Sequence, residues 1–523
     1  MKKFTLATTI SLILTITIFS SAVAALPGNG WWTALFMQNI GEDSGSISMT
    51  AYDLGSSSTY GSLSYSVDSD KTIAYDPGVN PDYPTGNYIG FDSSLPSGFQ
   101  GSAVVSASQE IASIAQIANF QNGSVGTSSG KASAFYQGIS QGSVATRLLA
   151  TTIKHNYSGA TTTLYIQAAG SDSDVTINYR MSDGSVHEQT ETIPANRTFV
   201  FDPANAIPPI ASDECGVDTS TSPCYGSAVI TATTPVGGVL LEHPHSGTPI
   251  NFIQAIRLAT PNDESTRIYV PSVKNDFTTG SGTGIAGAAV MNVGTEPALV
   301  QITLTITALG RNAPSGVVPG QEYSETVEIQ PNENYLFSKW LGNIGGMPAG
   351  TMAAAVIESI PDATHTPQPL VGSSNDAKTQ NNFPGQAKVK YSAFADNTAT
   401  PLAYGPMVKE FYGIFTGGVT VQNVGDNPDF ITIEYHQYAS NNVYVFRTIN
   451  EIPVGGATQT NWVSVTGSDN FSPVGGDWEF ADLAGHQYSV VAYTGSSQNI
   501  ILMVTENTPS GTLDIARYEG INK

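Results

Sequence analysis

The sequence of 523 residues predicts an all-β protein built from four tandem antiparallel β-sandwiches. Three observations predict it. A short segment recurs at intervals of whole domains, apolar and polar residues alternate between turn residues, and an apolar N-terminal segment marks the chain for export. Only 12 % of the residues are charged and 40 % are hydrophobic, so the composition is that of folded sheets and not of a disordered chain.

The recurring segment has an apolar, β-rich run before it and alternating residues after it. Its copies lie at 38–41 (QNIG), 167–170 (QAAG), 291–294 (MNVG) and 422–425 (QNVG). The intervals between copies, 124 to 131 residues, are too long for a solenoid repeat and suit whole domains. We therefore expect domains at 25–140, 141–260, 261–397 and 398–523, each folding by itself. In a row they would form a rod about 150 Å long.

Residues 300–307 show most clearly why each unit is predicted to be a β-sandwich. Val300, Ile302, Leu304 and Ile306 alternate with polar residues, which places them on one face of a strand. Similar runs recur between Gly, Pro, Asn and Ser turns, as in a two-sheet sandwich of about seven strands. The segment 109–117 has helical propensity, but its counterparts in the other units are rich in Val, Ile and Gly, so we interpret it as a strand.

The elements follow the same order in each unit. Units two to four begin with a strand that ends in lysine, at Lys154, Lys274 and Lys409. A Pro or Gly turn comes next, then an aromatic strand, and later a glycine before a small β-branched run such as 101–105. The units close on aromatic segments at 135–138, 252–254, 391–394 and 518–520. Shared order over so many elements indicates one fold repeated four times.

Unit one lacks room for the lysine-ended strand. After cleavage at Ala24, only six residues precede Trp31. A sandwich without its first strand exposes unpaired backbone N–H and C=O groups along an edge. We therefore expect unit one to accept an extended segment from a second copy of the chain or from another cell-surface protein.

The N-terminus and the charge predict a secreted protein at the cell surface. Lys2 and Lys3 precede an apolar run at 6–18, and Ala22-Val23-Ala24 fits a signal-peptide cleavage site, so the segment 1–24 is not interpreted as a membrane span. The net charge of −23 disfavours binding to nucleic acids and to anionic membranes. In an oxidising compartment, Cys215 and Cys224 are predicted to form a disulfide around a short loop.

Candidate ligand sites are few, and each has a structural alternative. Glu242, His243 and His245 could hold Zn²⁺ or Cu²⁺, or they could form an ordinary loop between strands. Acidic residues near the recurring glycine could bind Ca²⁺, or they could be solvated turns. The strongest acidic pairs are Asp172 with Asp174 and Asp426 with Asp429. Apart from this possible Ca²⁺, no cofactor is expected.

Trp31 and Trp32 are the best candidates for an aromatic platform that binds glycans, and the alternative is that they open the core of unit one. No set of acidic, basic and nucleophilic residues converges in the sequence, so no catalytic residue is predicted and the chain is not expected to be an enzyme.

Two strings of the sequence resemble a known family. Residues 406–425, from the lysine-ended strand to the fourth recurring segment, and residues 98–105 (GFQGSAVV) are similar to secreted tandem β-sandwich repeats of environmental bacteria, notably Chloroflexota. The resemblance implies Ig-like extracellular domains and carries no catalytic residues. We therefore expect a structural or adhesive subunit of a surface layer, sheath or extracellular filament. The alternative is an array of carbohydrate- or surface-binding modules.

Overall fold

The computed structural model describes residues 12–16, 26, 30–54, 58–62, 64–75, 89–91, 95–96, 98–119, 132–211, 215, 222–245, 252–279, 282–379, 386–410, 416–438, 440–460, 471–476, 479–507 and 515–522. Within these residues all regular structure is antiparallel β-sheet or short 3₁₀ turns, and there is no α-helix. The all-β prediction is therefore confirmed. The segment predicted from 109–117 is a strand, as expected.

Unit one consists of two sheets that enclose a core. One has the strand order β1-β7-β3-β4, with β5 also on β3, and the other has the order β6-β2-β8-β9. The strands are β1 (Leu12–Ile16), β2 (Trp31–Asn39), β3 (Gly45–Asp53), β4 (Thr59–Gly61), β5 (Tyr65–Val67), β6 (Thr72–Tyr75), β7 (Gly101–Ala107), β8 (Ile111–Asn119) and β9 (Ala132–Gln137).

Unit two joins its two layers through one long strand. The first part of β15 pairs with β10 and β12, and the second part pairs with β11 and β16, so the sheets are continuous. The elements are η1 (Gln141–Ser143), β10 (Ala145–Lys154), β11 (Ala160–Ala168), β12 (Ser173–Met181), β13 (Val186–Ile193), β14 (Thr198–Phe201), η2 (Pro203–Asn205), β15 (Tyr225–Pro244) and β16 (Gln254–Arg257).

Unit three has the order β20-β19-β22-β17-β18-β23-β24, and burial alternates along β19 as the sequence predicts. Val300, Ile302, Leu304 and Ile306 are all buried in the core. The elements are η3 (Pro261–Asp263), β17 (Arg267–Thr279), β18 (Gly282–Asn292), β19 (Ala298–Leu309), β20 (Glu322–Ile329), β21 (Asn334–Phe337), η4 (Lys339–Leu341), β22 (Thr351–Ser359), β23 (Leu370–Thr379), β24 (Gln386–Ser392) and β25 (Phe394–Ala395).

Unit four again has two separate sheets, with the orders β31-β29-β28-β32-β26-β35 and β30-β27-β33-β34. The elements are η5 (Asp396–Thr398), β26 (Leu402–Glu410), β27 (Thr416–Asn423), β28 (Ile431–Gln437), β29 (Val443–Thr448), β30 (Ala457–Gln459), β31 (Phe471–Pro473), η6 (Phe480–Leu483), β32 (His486–Thr494), β33 (Ile500–Asn507), β34 (Ile515–Glu519) and β35 (Ile521–Asn522).

The first strand of each unit has the same neighbours. The lysine-ended strands β10, β17 and β26 pair with β15, β22 and β32, whose other neighbours are β12, β19 and β28. In unit one, β7 has β3 on one side and β1 on the other. Residues 12–16 thus occupy the place of the missing first strand, although they lie within the predicted signal peptide. The cleavage site lies outside the described residues.

The four units form a closed ring, so the expectation of an extended rod is wrong. The closing strand of each unit contacts the closing strands of both neighbours: β9 contacts β16, β16 contacts β24, β24 contacts β34, and β34 contacts β9. Unit four therefore packs against unit one. A row would leave the apolar side chains between units four and one exposed to water, whereas the ring buries them.

The same hydrogen bond recurs at three of the junctions. In each case a serine hydroxyl donates to the backbone carbonyl of a turn residue with φ near +60° in the next unit. The pairs are Ser102 to Asn196 (3.1 Å), Ser227 to Asn332 (2.9 Å) and Ser489 to Asp70 (3.0 Å). Since the last pair joins unit four to unit one, ring closure uses the contact that also joins consecutive units.

Two hydrophobic cores cross unit boundaries. The core of unit one continues into unit two through Tyr165, Val239 and Leu241. On its other side, Phe36 and Phe135 of unit one belong to the same buried cluster as the core of unit four. Because these residues pack into the core of the neighbouring unit, the units stabilise one another.

Candidate functional site

The asparagine of the recurring segment fixes the turn that follows it. The side-chain amide of Asn423 donates to the carbonyls of Asn427 (2.9 Å) and Ile452 (2.8 Å), and its Oδ1 accepts from the amide of Gly425 (3.0 Å). Asn39 and Asn292 make the corresponding three bonds in units one and three, at 2.8–3.0 Å. The most regular motif of the sequence is therefore structural, because it satisfies buried backbone groups.

Unit two replaces this asparagine with Ala168 and supplies part of the same bonding from elsewhere. The Oδ1 of Asn196, which lies in the mid-unit turn, accepts from the amide of Gly170 at 3.0 Å. In unit two the acceptor for the Gly170 amide therefore comes from another turn, and the amide remains bonded.

A buried ion pair joins the first strand to the facing strand in units two to four. Each lysine that ends a first strand meets a carboxylate, and no short motif in the sequence marks these carboxylates. The pairs are Lys154 with Glu242 (2.7 Å), Lys274 with Asp376 (2.5 Å) and Lys409 with Glu506 (2.9 Å). The lysine at the strand end is therefore not a surface charge, because its partner side chains are 0–5 % exposed.

Each of these pairs extends to the next unit around the ring. Lys390 of unit three lies 3.0 Å from Glu242 of unit two, and Arg517 of unit four contacts Asp376 of unit three. At ring closure the neighbouring group is neutral: Gln116 of unit one donates to Glu506 at 3.2 Å. These clusters hold adjacent units in register, since a displaced neighbour would leave a buried charge without its partner.

Unit one has an apolar residue in place of the carboxylate. Counting back five residues along the strand from the first residue of the recurring segment gives the positions paired with Glu242, Asp376 and Glu506. The same count from Gln38 gives Thr33, which pairs with Ile117. Unit one therefore lacks both the lysine-ended strand and the carboxylate that such a strand would need.

The tyrosines of the closing segments hold the first strands of units three and four. The hydroxyl of Tyr518 donates to the carbonyl of Met407 (2.7 Å) and accepts from its amide (3.0 Å). Tyr391 does the same with Ser272. In both strands the bonded residue lies at a bulge, where the pairing register shifts. The aromatic close of the unit thus satisfies backbone groups that the bulge removes from the ladder.

Lysine side chains cluster in the buried region between units two and three. A cavity of about 310 Å³ there is lined by residues that include Lys154, Tyr157, Tyr225, Glu242, Asp376 and Lys388. Burial lowers the pKa of Lys388 to about 8, against the attraction of Glu242. Burial also lowers the pKa of Lys390 to about 8. Burial by itself would raise the pKa of Glu242, but the nearby lysines hold it well below its ordinary value.

The residues predicted as a transition-metal site do not converge on one point. Glu242 is engaged by two lysines, the Nδ1 of His243 lies 2.9 Å from a backbone carbonyl, and the Nδ1 of His245 lies 2.7 Å from the hydroxyl of Thr161. Among the described residues no group of three or more His, Cys, Asp or Glu side chains is arranged to hold a metal ion. The contacts of these side chains are therefore with neighbouring residues of the protein.

Three of the four acidic residues proposed for Ca²⁺ are bonded to neighbouring strands or turns. Asp172 accepts from the amide of Ala195 (2.9 Å) and Asp174 accepts from the hydroxyl of Thr192 (2.7 Å). Asp429 accepts from the amide and the hydroxyl of Ser496 (3.0 and 2.7 Å). The side chain of Asp426 is exposed. This arrangement favours structural turns over a Ca²⁺ site.

The proposed aromatic platform is part of the protein interior. Trp31 is 1 % exposed and belongs to the core of unit one, and Trp32 is half-buried against the cluster shared with unit four. Stacking on a sugar requires a free ring face, which Trp31 does not offer. Trp31 and Trp32 therefore begin the core strand β2, as the alternative interpretation expects.

The predicted disulfide is present. Cys215 and Cys224 are bonded, with their Cα atoms 6.2 Å apart, next to Tyr157 and Tyr225. In the described part of the chain no helix is long and apolar enough to cross a membrane.

No known protein-family model matches the chain, and no curated protein sequence matches it. Among solved structures, Thermotoga maritima 1070 is 16 % identical over 25 % of this chain and 96 % of its own length, with a TM-score of 0.18. A tetra-tandem repeat from the extending region of a large adhesion protein is 10 % identical and covers 93 % of each chain, with a TM-score of 0.10. The RrgB pilus protein of Streptococcus pneumoniae is 8 % identical over 95 % of this chain and 88 % of its own, with a TM-score of 0.10.

Proposed function

We propose that this chain is a secreted, non-enzymatic structural or adhesive protein, a subunit of a cell-surface layer, sheath or extracellular filament. The observation that carries the proposal is the use of its buried polar groups. The recurring asparagines, the closing tyrosines and the three ion-pair clusters all bond to backbone or to neighbouring units. Side chains bonded in this way hold the scaffold together. None of these three sets forms a cluster of catalytic groups.

The external location rests on independent observations. The disulfide is suited to an oxidising compartment, and the net charge of −23 suits a solvated outer surface. Ca²⁺ is not needed to explain the described acidic turns, because backbone amides and hydroxyls already satisfy most of them. A surface role therefore requires no resident cofactor.

Immunogold electron microscopy of the producing cells tests this function. We expect label on the outer surface, in a continuous layer or along filaments, and its loss when the coding sequence is deleted. Label confined to the cytoplasm, or protein found only as dispersed particles in the medium, would contradict the proposal.

The alternative, an array of carbohydrate-binding modules, predicts a different result. A purified binding array would retain specific glycans in a glycan-binding assay, whereas a structural subunit would retain none. The burial of Trp31 removes the feature that favoured this alternative. We therefore favour the structural role.

A further inference from the structure

Strand β7 of unit one has a neighbour that the mature protein is expected to lose. The segment β1 pairs antiparallel with β7, with Leu12 opposite Ala107, Leu14 opposite Val105 and Ile16 opposite Ala103. Ala103, Val105 and Ala107 are buried in the core of unit one. If the signal peptide is cleaved after Ala24, β1 leaves and this edge of β7 loses every backbone partner that β1 provides. The neighbour on its other side, β3, remains.

The rest of unit one keeps the features that receive a first strand. Tyr136, which is fully buried, occupies the register position of Tyr391 and Tyr518, whose hydroxyls bond to the first strands of units three and four. The place also has a neighbour in unit two, because the 3₁₀ turn η1 (Gln141–Ser143) contacts β1. Unit one is therefore built around a first strand that a chain cleaved after Ala24 would not contain.

The chemistry of the place selects its occupant. In units two to four the strand carries a lysine that meets a carboxylate, but unit one has Ile117 at that position. A buried lysine there would have no counter-charge, at a cost of several kcal/mol. The segment that occupies the place in the structure, residues 12–16 (LILTI), is uncharged and apolar at four of its five positions, and it ends before the position that corresponds to the lysine. The occupant is therefore an uncharged apolar strand.

A second mature copy is a poor donor of such a strand. Every described strand from β2 to β35 is already paired within its own unit. A second copy would have to break one of these ladders to give a strand away. A different protein with a free extended segment could bind without breaking a ladder of its own.

We propose that unit one of the mature chain is a strand-acceptor site. It binds an uncharged extended segment of another exported protein, apolar at alternate positions and antiparallel to β7, in the place that residues 12–16 hold before cleavage. Binding adds a strand to the sheet edge, so the backbone ladder supplies affinity and the core-facing positions supply specificity.

Cross-linking in register tests the proposal. The protein is the chain 25–523 with its disulfide intact and with Val104→Cys. The probe is a peptide of residues 11–17 carrying Thr15→Cys and a short polyethylene glycol tail for solubility. Thr15 lies opposite Val104 in the structure, so we expect a disulfide adduct. The same peptide with Ile13→Cys places its thiol opposite Ser106, about 7–8 Å away along the diagonal, and should react at least about tenfold less.

Two control peptides separate strand addition from nonspecific apolar binding. Leu14→Pro in the probe removes an N–H and fixes φ, so strand pairing and the adduct should be lost. A peptide of residues 402–410, the first strand of unit four, carries Lys409 and should bind unit one more weakly than the uncharged probe. Equal reaction of all peptides would overturn the proposal.

Hydrogen exchange supplies a readout that needs no cross-link. In the chain 25–523, amides of β7 (Gly101–Ala107) on the open edge should exchange at least about tenfold faster than those of β32 (His486–Thr494), and the probe should slow them. If the chain 25–523 fails to fold, the full chain with a protease site inserted in 18–24 can be cut after folding and the probe exchanged into it.

Three results would each overturn the proposal. The secreted protein could retain residues 12–16, as shown by intact mass. The amides of β7 could be protected in 25–523 without a donor. The chain 25–523 could protect β7 by self-association, which would make a second copy the occupant. Failure of surface localisation, by contrast, would overturn the proposed function and leave this site unaffected.

Discussion

Asn423 lies inside the protein with its polar atoms fully used, and Asn39 and Asn292 repeat its three bonds. Like the pairing of strands, a side chain in this position satisfies backbone groups that would otherwise be buried without partners. The sequence marks these residues by their recurrence. It cannot assign the bonds, because two of the three partners become identifiable only when the turns are folded.

Asn423→Ala should destabilise the protein by about 2–3 kcal/mol. The substitution removes three hydrogen bonds and takes away the partner of the Gly425 amide, while the carbonyl of Ile452 keeps its bond from the amide of Asp429. Urea unfolding followed by tryptophan fluorescence measures the change. Asn427→Ala is the matched control, because that side chain is exposed, and it should cost less than about 0.5 kcal/mol. Equal effects of the two substitutions would contradict the assigned role.

Lys388→Met should stabilise the protein at pH 7, by up to about 3 kcal/mol. Burial lowers the pKa of Lys388 from 10.5 to about 8, so the folded chain holds this proton less tightly than the unfolded chain does. The unfavourable contribution is complete below pH 8, shrinks as the pH rises towards 10.5 and is absent above that. The gain from the variant should therefore decrease between pH 8 and pH 10.5 in chemical unfolding. A gain that is independent of pH would show that Lys388 is not desolvated.

At the scale of elements, the first strand of a unit is held by its lysine and its bulge. The sequence predicts this strand in units two to four and its absence from the mature unit one. It does not predict the partner carboxylates, because Glu242, Asp376 and Glu506 lie in strands that share no local motif. Only the pairing register shows that the three carboxylates and Ile117 occupy the same position in their units.

Lys409→Met should destabilise unit four by about 3–5 kcal/mol, because Glu506 would be left in a buried site without its counter-charge and with only the neutral Gln116 beside it. The double variant Lys409→Met/Glu506→Ile imitates the apolar arrangement of unit one at Ile117 and should recover most of that loss. Thermal and urea unfolding of both variants give the comparison. A double variant no more stable than the single one would show that the ion pair is not the cause.

At the scale of the whole molecule, the sequence misses the ring. Tandem repeats predict contacts between consecutive units, and a row of four is then the simplest arrangement. The contacts that close the ring join residues such as Asp70 and Ser489, which are 419 positions apart. No periodicity reports such a pair. In retrospect the apolar Phe36 and Phe135 carry a signal, since they lie in the buried cluster that contains the core of unit four.

Unit one differs from the other units in its first strand. It contacts units two and four like any member of the ring, but the strand beside β7 is β1, whose residues lie within the predicted signal peptide. A closed ring offers no end for addition of further units. Assembly into larger structures would then proceed through an edge such as β7, and not by extension of a rod.

Small-angle X-ray scattering of the purified chain tests ring closure most directly. A compact chain of this length has a radius of gyration of about 24 Å, and a ring should lie slightly above that value. Four units in a row, about 150 Å long, would give roughly 40 Å or more and a correspondingly larger maximum dimension. A value within a few ångströms of the compact one agrees with the closed ring of four units. A value near that of the rod would contradict it.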